Sequence, residues 1–361
     1  MIFVKVDDLK PGMRLGKPIY NKNGVLLHER NSKLTMQSIY GVKNFGLIGL
    51  YILEPAEPVP PMTEDDIQFE RFQTVSVFSI RDDLKLISTG KEPKTLDWLV
   101  SLIMKNYGGL DRKINFIQNL RSADDFVFKH ALNVAILSAM ISNQMDIPAA
   151  VQNRIIKAAV IHDVGYLMNQ HAVIEADSEI TFEQEQLVQH GTQTALSEVD
   201  IDTDTKRLAL KLHEYLKADL EDKRLEKEQD IALEILYVAH EYDMMTAMKS
   251  YTEPTSEVMA IRELMDHDRK YDAKVVNALI KSINILTPSV CVELTNKKKG
   301  LVIVENPASI MRPVVLSFED NVVYDLSNDA TYGEVQILDV MKTMDNRIKV
   351  DTELLKTYLN R

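Results

Sequence analysis

Histidines beside acidic residues are the side chains in this chain whose types and spacing could do chemistry. Five of the eight histidines lie in one long helical stretch of sequence: His130, His162, His190, His213 and His240. His162 follows four apolar residues and is itself followed by Asp163. A buried His-Asp pair is costly unless both side chains are satisfied, because an unpaired carboxylate in an apolar interior is strongly disfavoured. A shared metal cation would satisfy both, and the carboxylate has a second oxygen that could bridge to another ion.

The types of these side chains limit which metal ions could bind. A single histidine at a helix start is more often a packed or capping residue than a ligand, so the ordered set carries the prediction. Imidazole and carboxylate ligands without thiolates suit iron, manganese, zinc or nickel. The chain has one cysteine, Cys291, which excludes a cysteine metal cluster and an internal disulfide framework. We therefore expect one or two divalent transition metal ions as the cofactor.

Composition narrows the class of protein. The formal net charge is -12 and the pI about 5.2, which argues against broad nucleic-acid binding through a basic surface. No stretch reaches the roughly 18 apolar residues of a membrane span, and the N-terminus does not resemble a signal peptide. These features predict a cytoplasmic protein without membrane insertion. Its 361 residues predict two or three compact units.

The elements that must position the histidines fall into a central helical part with a module at each end. Residues 1–54 form a small N-terminal module, with Asn23-Gly24 as a hairpin turn, a helix over 34–45 and a closing strand over 48–53. Four prolines mark a linker over residues 55–63. Apolar residues with helical spacing then dominate residues 64–286, as in the stripe of Leu96, Leu99, Val100 and Ile103. Trp98, next to this stripe in the sequence, is predicted to anchor the core.

Residues 287–361 form a C-terminal appendage of short strands with a final helix over 352–359. The predicted fold is therefore mainly α: a bundle of six or more helices with a small N-terminal α/β module and a small C-terminal β appendage.

The histidine pattern over residues 120–285 resembles the HD superfamily of metal-dependent phosphohydrolases, and more closely its HD-GYP branch, the bacterial cyclic-di-GMP phosphodiesterases. Residues 7–27 and 305–327 resemble segments that commonly flank this domain. The resemblance implies an HD-type helical bundle that binds a cyclic dinucleotide or another phosphoester and cleaves it with a metal-activated water. A protein partner in signalling, or self-association of the chain, is also compatible with this resemblance.

The resemblance assigns roles position by position. The implied metal ligands are His130, His162, Asp163, His190, His213 and His240. The implied catalytic residues are Asp163, His190 and Lys249, the lysine standing where the family has an arginine that follows the aspartate matched by Asp243.

Several positions depart from the family pattern. Leu212 stands where the first histidine of the "HHE" element belongs, and Gly191 replaces the proline after His190. His240 stands in place of the last aspartate ligand, and Tyr166 in place of a lysine expected to meet phosphate. The "GYP" loop that names the branch is absent.

These departures leave three hypotheses open. The first is an active phosphodiesterase. The second is a degenerate relative that binds a nucleotide or a protein partner without turnover. The third is a helical scaffold with merely packed histidines, in the manner of the related HDOD regulatory domains.

Overall fold

The computed structural model describes residues 2–20, 25–53, 63–116, 118–168, 179–221, 230–249, 252–288 and 290–340. The predicted 55–63 linker lies almost wholly outside these ranges, and so does the predicted helix over 352–359. The fold is mainly α, with a helical bundle, a small N-terminal sheet region and a C-terminal sheet, as the sequence predicts.

The N-terminal module contains short strands around one helix. Its elements are β1 (Ile2–Lys5), β2 (Arg14–Leu15), β3 (Ile19–Tyr20), β4 (Leu26–His28), α1 (Met36–Asn44) and β5 (Gly49–Leu53). Strand β5 lies between β1 and β2 and is antiparallel to both, while β3 and β4 form a separate antiparallel pair. The Thr35 hydroxyl accepts a hydrogen bond from the Ser38 amide and so fixes the start of α1. The predicted helix and closing strand agree with α1 and β5.

The helical bundle carries the candidate site. Its helices are α2 (Glu64–Ile87), α3 (Leu96–Tyr107), α4 (Phe126–Gln144), α5 (Ala149–Ile161), α6 (Gly165–Met168), α7 (Phe182–Ser197), α8 (Thr203–Leu220), α9 (Ile231–Thr246), α10 (Glu257–Asp266) and α11 (Ala273–Ser282). Polar caps set several starts, because Thr63, Thr181 and Asp202 accept hydrogen bonds from the first turns of α2, α7 and α8. Helix α5 ends at Ile161, so His162 and Asp163 follow directly at the C-terminal end of this helix.

Helix α4 is the centre of the bundle. It packs against α2, α3, α5, α9 and α11, and its side chains from Ala131 to Ser142 are all buried. Among the described helices α4 alone is long and apolar enough to cross a membrane, yet 78% of the apolar window is buried in the fold. This degree of burial is typical of the core helix of a bundle.

The C-terminal part is an antiparallel sheet. It contains β6 (Cys291–Leu294), β7 (Lys299–Val304), β8 (Val314–Ser317), β9 (Val323–Asp325), α12 (Asp329–Glu334) and β10 (Ile337–Val340), with strand order β10-β6-β7-β8-β9. Buried residues of β6 and β7, such as Val292 and Val302, belong to the same apolar core as the helices.

One predicted core residue is on the surface. Trp98 is 55% exposed, whereas the stripe of Leu96, Leu99, Val100 and Ile103 on the same helix is buried. Trp98 lies one residue off the buried stripe, so helical periodicity, not size or hydrophobicity, decides its burial.

Candidate metal centre

Three histidines from three elements meet in the interior of the bundle. His130 lies in the first turns of α4, His162 caps the C-terminal end of α5, and His240 lies near the end of α9. One ligand atom from each lies within 4.8 Å of the others, a span close to twice the ~2.1 Å of a histidine–metal bond. Their ring centroids are 4.8 to 5.6 Å apart. These three histidines are among the six residues that the sequence analysis predicted as metal ligands.

A second hydrogen bond orients each ring of this histidine triad. The Nδ1 atom of His130 lies 2.6 Å from Asp243 Oδ2, and Nδ1 of His162 lies 2.8 Å from the Ala159 carbonyl oxygen. For His240, Nδ1 lies 3.3 Å from Glu241 Oε1. Because these acceptors require a proton on Nδ1, the lone pair of each ring is placed on Nε2, the tautomer that binds a metal.

Two of the Nε2 atoms have no hydrogen-bond partner. Nε2 of His130 and Nε2 of His162 are buried and unsatisfied among the described residues. The carboxylate of Asp163 lies beside both, with oxygens 3.7 Å from His130 Nε2 and 3.3 Å from His162 Nε2. Buried polar atoms are nearly always paired, so this arrangement fits a divalent cation held by imidazole and carboxylate.

Burial keeps two of these imidazoles neutral. Desolvation lowers the pKa of His130 to about 4, against the opposing effect of Asp243, and lowers that of His162 well below its ordinary value. Burial also lowers the pKa of His240, but the hydrogen bond and charge of Glu241 outweigh it, so the net shift is upward. Neutral imidazole is the ligand form, so His130 and His162 are in it at neutral pH.

A buried ion pair lies behind the triad. Nη2 of Arg121 donates to both oxygens of Asp243 at 2.7 Å, and both side chains are fully buried. Gln118 and Asn133 also donate to Oδ1 of Asp243, at 2.9 and 2.8 Å. Burial raises the pKa of Asp243, but Arg121 and His130 lower it much further, so the carboxylate is ionised and holds the His130 ring.

His213 is close to the triad but has a different task. Its Nδ1 lies 2.5 Å from Glu185 Oε1, and its Nε2 lies 2.8 Å from the carbonyl oxygen of His162. Both nitrogens therefore face acceptors, which requires the doubly protonated ring. Burial lowers the pKa of His213, but Glu185 raises it by more. His213 therefore holds the backbone of His162. The sequence analysis named His213 as a metal ligand, but neither of its ring nitrogens is free to face the triad.

Two other predicted residues stand apart. His190 is exposed on α7 and is not brought to the triad, so its predicted roles as ligand and catalyst find no support in its position. Lys249 is half-buried just beyond α9, where desolvation lowers its pKa against the attraction of Glu179 and Glu241. Its predicted catalytic role remains a prediction.

The departures from the family pattern have structural counterparts. Leu212 is fully buried in the apolar core of α8. Gly191 is buried in α7, next to Thr192, whose hydroxyl lies 3.0 Å from the carbonyl oxygen of His162. The segment of α7 after His190 thus supports the His162 backbone.

The supporting residues Arg121, Gln118, Asn133 and Glu185 were not foreseen from the sequence. Arg121 and Gln118 precede α4 in an irregular segment, and Asn133 is a lone amide inside an apolar helix. The available signal was the presence of polar side chains at positions where the period predicts burial, as for Asn133 three residues after His130.

Comparisons with known proteins agree with this geometry. Residues 127–245 match the HD domain family, a range that contains the whole triad. The chain is 22% identical over 204 residues to a cyclic di-GMP phosphodiesterase of Pseudomonas aeruginosa. The aligned region covers 55% of this chain and 49% of that protein. The chain thus spans about half the length of that curated relative. The solved structure of an HDG"Y"P protein from Bdellovibrio bacteriovorus matches with a TM-score of 0.46 and 15% identity, over 77% of this chain and 97% of that one.

The helical bundle with its buried histidines is therefore an HD domain. The match to the HD domain family and the similarity to the Pseudomonas relative agree with the resemblance to the HD-GYP branch that the sequence indicated.

Proposed function

We propose that this chain is a metal-dependent phosphodiesterase of the HD-GYP type, which hydrolyses cyclic-di-GMP or a related nucleotide phosphoester. The observation that carries the proposal is the pair of buried, unpaired Nε2 atoms of His130 and His162 on either side of the Asp163 carboxylate. The Pseudomonas relative, named for the same activity, supports the choice of substrate. We place this activity in bacterial signalling in the cytoplasm.

Each residue has a defined task in this proposal. His130, His162 and His240 would hold the metal through Nε2, with Asp163 as the carboxylate ligand. A bound divalent ion lowers the pKa of a coordinated water and polarises a phosphoryl oxygen. The chain supplies neutral imidazoles in fixed tautomers, a carboxylate beside them, and in Lys249 a cation for the phosphate.

Three features of the sequence favour a second function. Leu212, Tyr166 and the absent GYP loop remove a ligand, a phosphate-facing cation and the signature of the branch. Loss of a ligand or a close supporting group commonly lowers metal affinity or activity about 10 to 100-fold. The alternative is therefore an HD-GYP-like protein that binds a nucleotide or a protein partner without turnover.

The test combines metal content with hydrolysis. Wild type and the variants His162→Ala and Asp163→Asn are analysed for bound iron, manganese, zinc and nickel, then assayed for conversion of cyclic-di-GMP to its linear dinucleotide. Wild type is expected to hold one or two ions and to cleave. His162→Ala is expected to lose metal and activity, and Asp163→Asn to lose activity with weaker metal binding.

Two substitutions serve as matched controls. His190→Ala removes an exposed histidine outside the triad, and Asp200→Asn removes an exposed carboxylate. Both are expected to retain metal and activity. Wild type that holds metal but cleaves neither cyclic dinucleotides nor phosphomonoesters would move the assignment to the binding function, and wild type without metal would support the scaffold reading.

A further inference from the structure

A large cavity lies at the junction of the N-terminal module and the bundle. Its volume is about 870 Å³, within the ~300 to 1,000 Å³ range of small-molecule sites. The walls come from the β2–β4 region of the module, from one face of α2, and from the irregular segment before α4. None of the triad histidines lines it, so it is separate from the metal centre.

Helix α2 presents a continuous face to this cavity. The lining positions are spaced three or four residues apart, which is one side of a helix. They are Glu70, Gln73, Thr74, Val77, Phe78 and Arg81. An acidic, an amide and an aromatic side chain are thereby fixed on one rigid element.

Glu70 is a largely buried carboxylic acid that lines the cavity. It is 9% exposed, and its backbone carbonyl oxygen accepts a hydrogen bond from the Thr74 hydroxyl. Burial raises the pKa of Glu70, and the positive charges of Lys17 and Arg30 oppose that shift. A carboxylate that lines a cavity from a largely buried side chain favours a ligand that donates a hydrogen bond to it.

Lys17 supplies the opposite charge from the other wall. Its Nζ donates to the carbonyl oxygen of Gln118 at 2.5 Å and lies 4.1 Å from the centre of the Tyr51 ring. No described carboxylate forms an ion pair with it. Desolvation lowers its pKa to about 8, although the charge of Glu70 acts in the other direction.

We propose that this junction cavity binds a small zwitterion with an apolar body, of the class of α-amino acids with an aromatic or large aliphatic side chain. The ligand's carboxylate pairs with Lys17, its ammonium group pairs with Glu70, and its apolar side chain packs on rings such as Phe78 and Phe128 that line the same space.

The charge pattern favours a zwitterion over a simple ion. An anion would pair with Lys17 but add a second negative charge to the cavity that Glu70 lines, and a cation would pair with Glu70 but add a positive charge to the cavity that Lys17 lines. Breaking or omitting one half of a buried ion pair is strongly unfavourable because the remaining charge is uncompensated. A zwitterion pairs both groups and leaves the net charge of the cavity unchanged.

Isothermal titration calorimetry on the full-length wild type tests the ligand class without any substitution. L-phenylalanine, L-tryptophan and L-leucine are titrated beside N-acetyl-L-phenylalanine, which lacks the ammonium group, and L-phenylalanine amide, which lacks the carboxylate. At least one free amino acid is expected to bind saturably, and each capped analogue at least about ten-fold more weakly, since a hydrogen bond between charged groups contributes that much.

Substitutions then locate the site. Glu70→Gln and Lys17→Met each remove one charge and keep most of the side-chain volume, and each is expected to weaken binding at least about ten-fold. Lys91→Met is the matched control, because Lys91 is an exposed lysine that does not line the cavity. Its affinity is expected to match wild type. Circular dichroism and thermal unfolding confirm that each variant is folded.

The titrations are run on metal-free protein, so their outcomes are independent of hydrolysis. Absence of saturable binding for all three amino acids up to about 10 mM would overturn the proposal. So would capped analogues that bind as tightly as the free amino acid, or folded Glu70→Gln and Lys17→Met variants with wild-type affinity.

Discussion

Asp243 carries the charge balance behind the metal centre. Its two oxygens accept hydrogen bonds from Arg121, Gln118, Asn133 and His130, all within 2.9 Å. A carboxylate in an apolar interior is tolerated only when its lone pairs are used in this way. The identity of Arg121 therefore affects both stability and the orientation of the His130 ring.

We predict that Arg121→Met lowers the free energy of unfolding by about 3 to 5 kcal/mol, because the substitution leaves the Asp243 carboxylate buried without its cation. Asp243→Asn is expected to be similarly costly, since it leaves the Arg121 guanidinium unpaired. Urea unfolding with a chelator present measures both without a contribution from bound metal.

The double variant Arg121→Met/Asp243→Asn separates the pair from its surroundings. Removal of both charges at once is expected to cost less than the sum of the single substitutions by more than about 1 kcal/mol. Strictly additive effects would show that the pair is not coupled.

Lys17 gives a prediction for alkaline pH. Its pKa is about 8 in the folded chain against an ordinary 10.5, so between these values the unfolded chain binds more protons. Stability therefore rises with pH across this window, and the cost of burying the ammonium is fully present below about pH 8. The difference in unfolding free energy between wild type and Lys17→Met should grow in favour of wild type from pH 8 to 10.5.

The matched comparison is Lys85→Met, an exposed lysine whose removal should leave this pH dependence unchanged. A constant difference between wild type and Lys17→Met across the window would contradict the lowered pKa.

At the residue level, the three histidines of the triad are among the six ligands predicted from the sequence, and the residues that support them were not predicted. His130, His162, Asp163 and His240 could be predicted because they lie in or next to apolar helical stretches that must be buried. Arg121 could not, because an arginine in an irregular segment is usually exposed, and only tertiary packing brings it to Asp243. The same limit applies to His213: spacing placed it near the site, but its partner Glu185 lies on another helix.

At the level of elements, the joint between α5, α6 and α7 positions the His-Asp pair. The Gly165 amide donates to the Thr192 hydroxyl at 3.1 Å, and that hydroxyl also lies 3.0 Å from the carbonyl oxygen of His162. A Cβ on Gly165 would meet the backbone of α7, including the Thr192 nitrogen at 2.6 Å. Glycine permits this close approach.

We therefore predict that Gly165→Ala costs about 1 to 3 kcal/mol of unfolding free energy and weakens metal binding, because α6 must move away from α7 and carry the His-Asp turn with it. Thermal unfolding and metal titration measure the two effects. Gly109→Ala is the control, since a Cβ there meets nothing within 4 Å. Equal behaviour of the two variants would rule out the close packing as the cause.

Periodicity predicted the helices better than the ends of the chain. Apolar stripes three and four residues apart identified α3 and α4, and short apolar runs between turns identified β6 to β9. Helix α12 and strand β10 were not predicted. Strand β10 has the pattern Ile337-Leu338-Asp339-Val340, four residues with a single polar position, which gives too short a repeat to distinguish a strand from a loop.

At the scale of the whole molecule, the N-terminal module contacts the segment that supports the metal centre. The Ile48 amide donates to the Arg121 carbonyl oxygen at 3.0 Å, and Leu47 forms a β-bridge with Ser122. Lys17 bonds to the carbonyl oxygen of Gln118 on the same segment. The side chains of Arg121 and Gln118 in turn hold Asp243, so a continuous path of hydrogen bonds joins the module to His130.

This path predicts that metal binding at the triad slows hydrogen exchange in the N-terminal module. An ion on His130 restrains its bond to Asp243, and through Arg121 restrains the carbonyl that accepts from the Ile48 amide. Exchange at Ile48 should therefore slow when zinc or manganese is added to metal-free protein. The Val302 amide, which bonds to Val290 in the C-terminal sheet, should not change. In Arg121→Met the slowing at Ile48 should disappear while metal still binds, and persistence of the effect in that variant would exclude the ion pair as the connection.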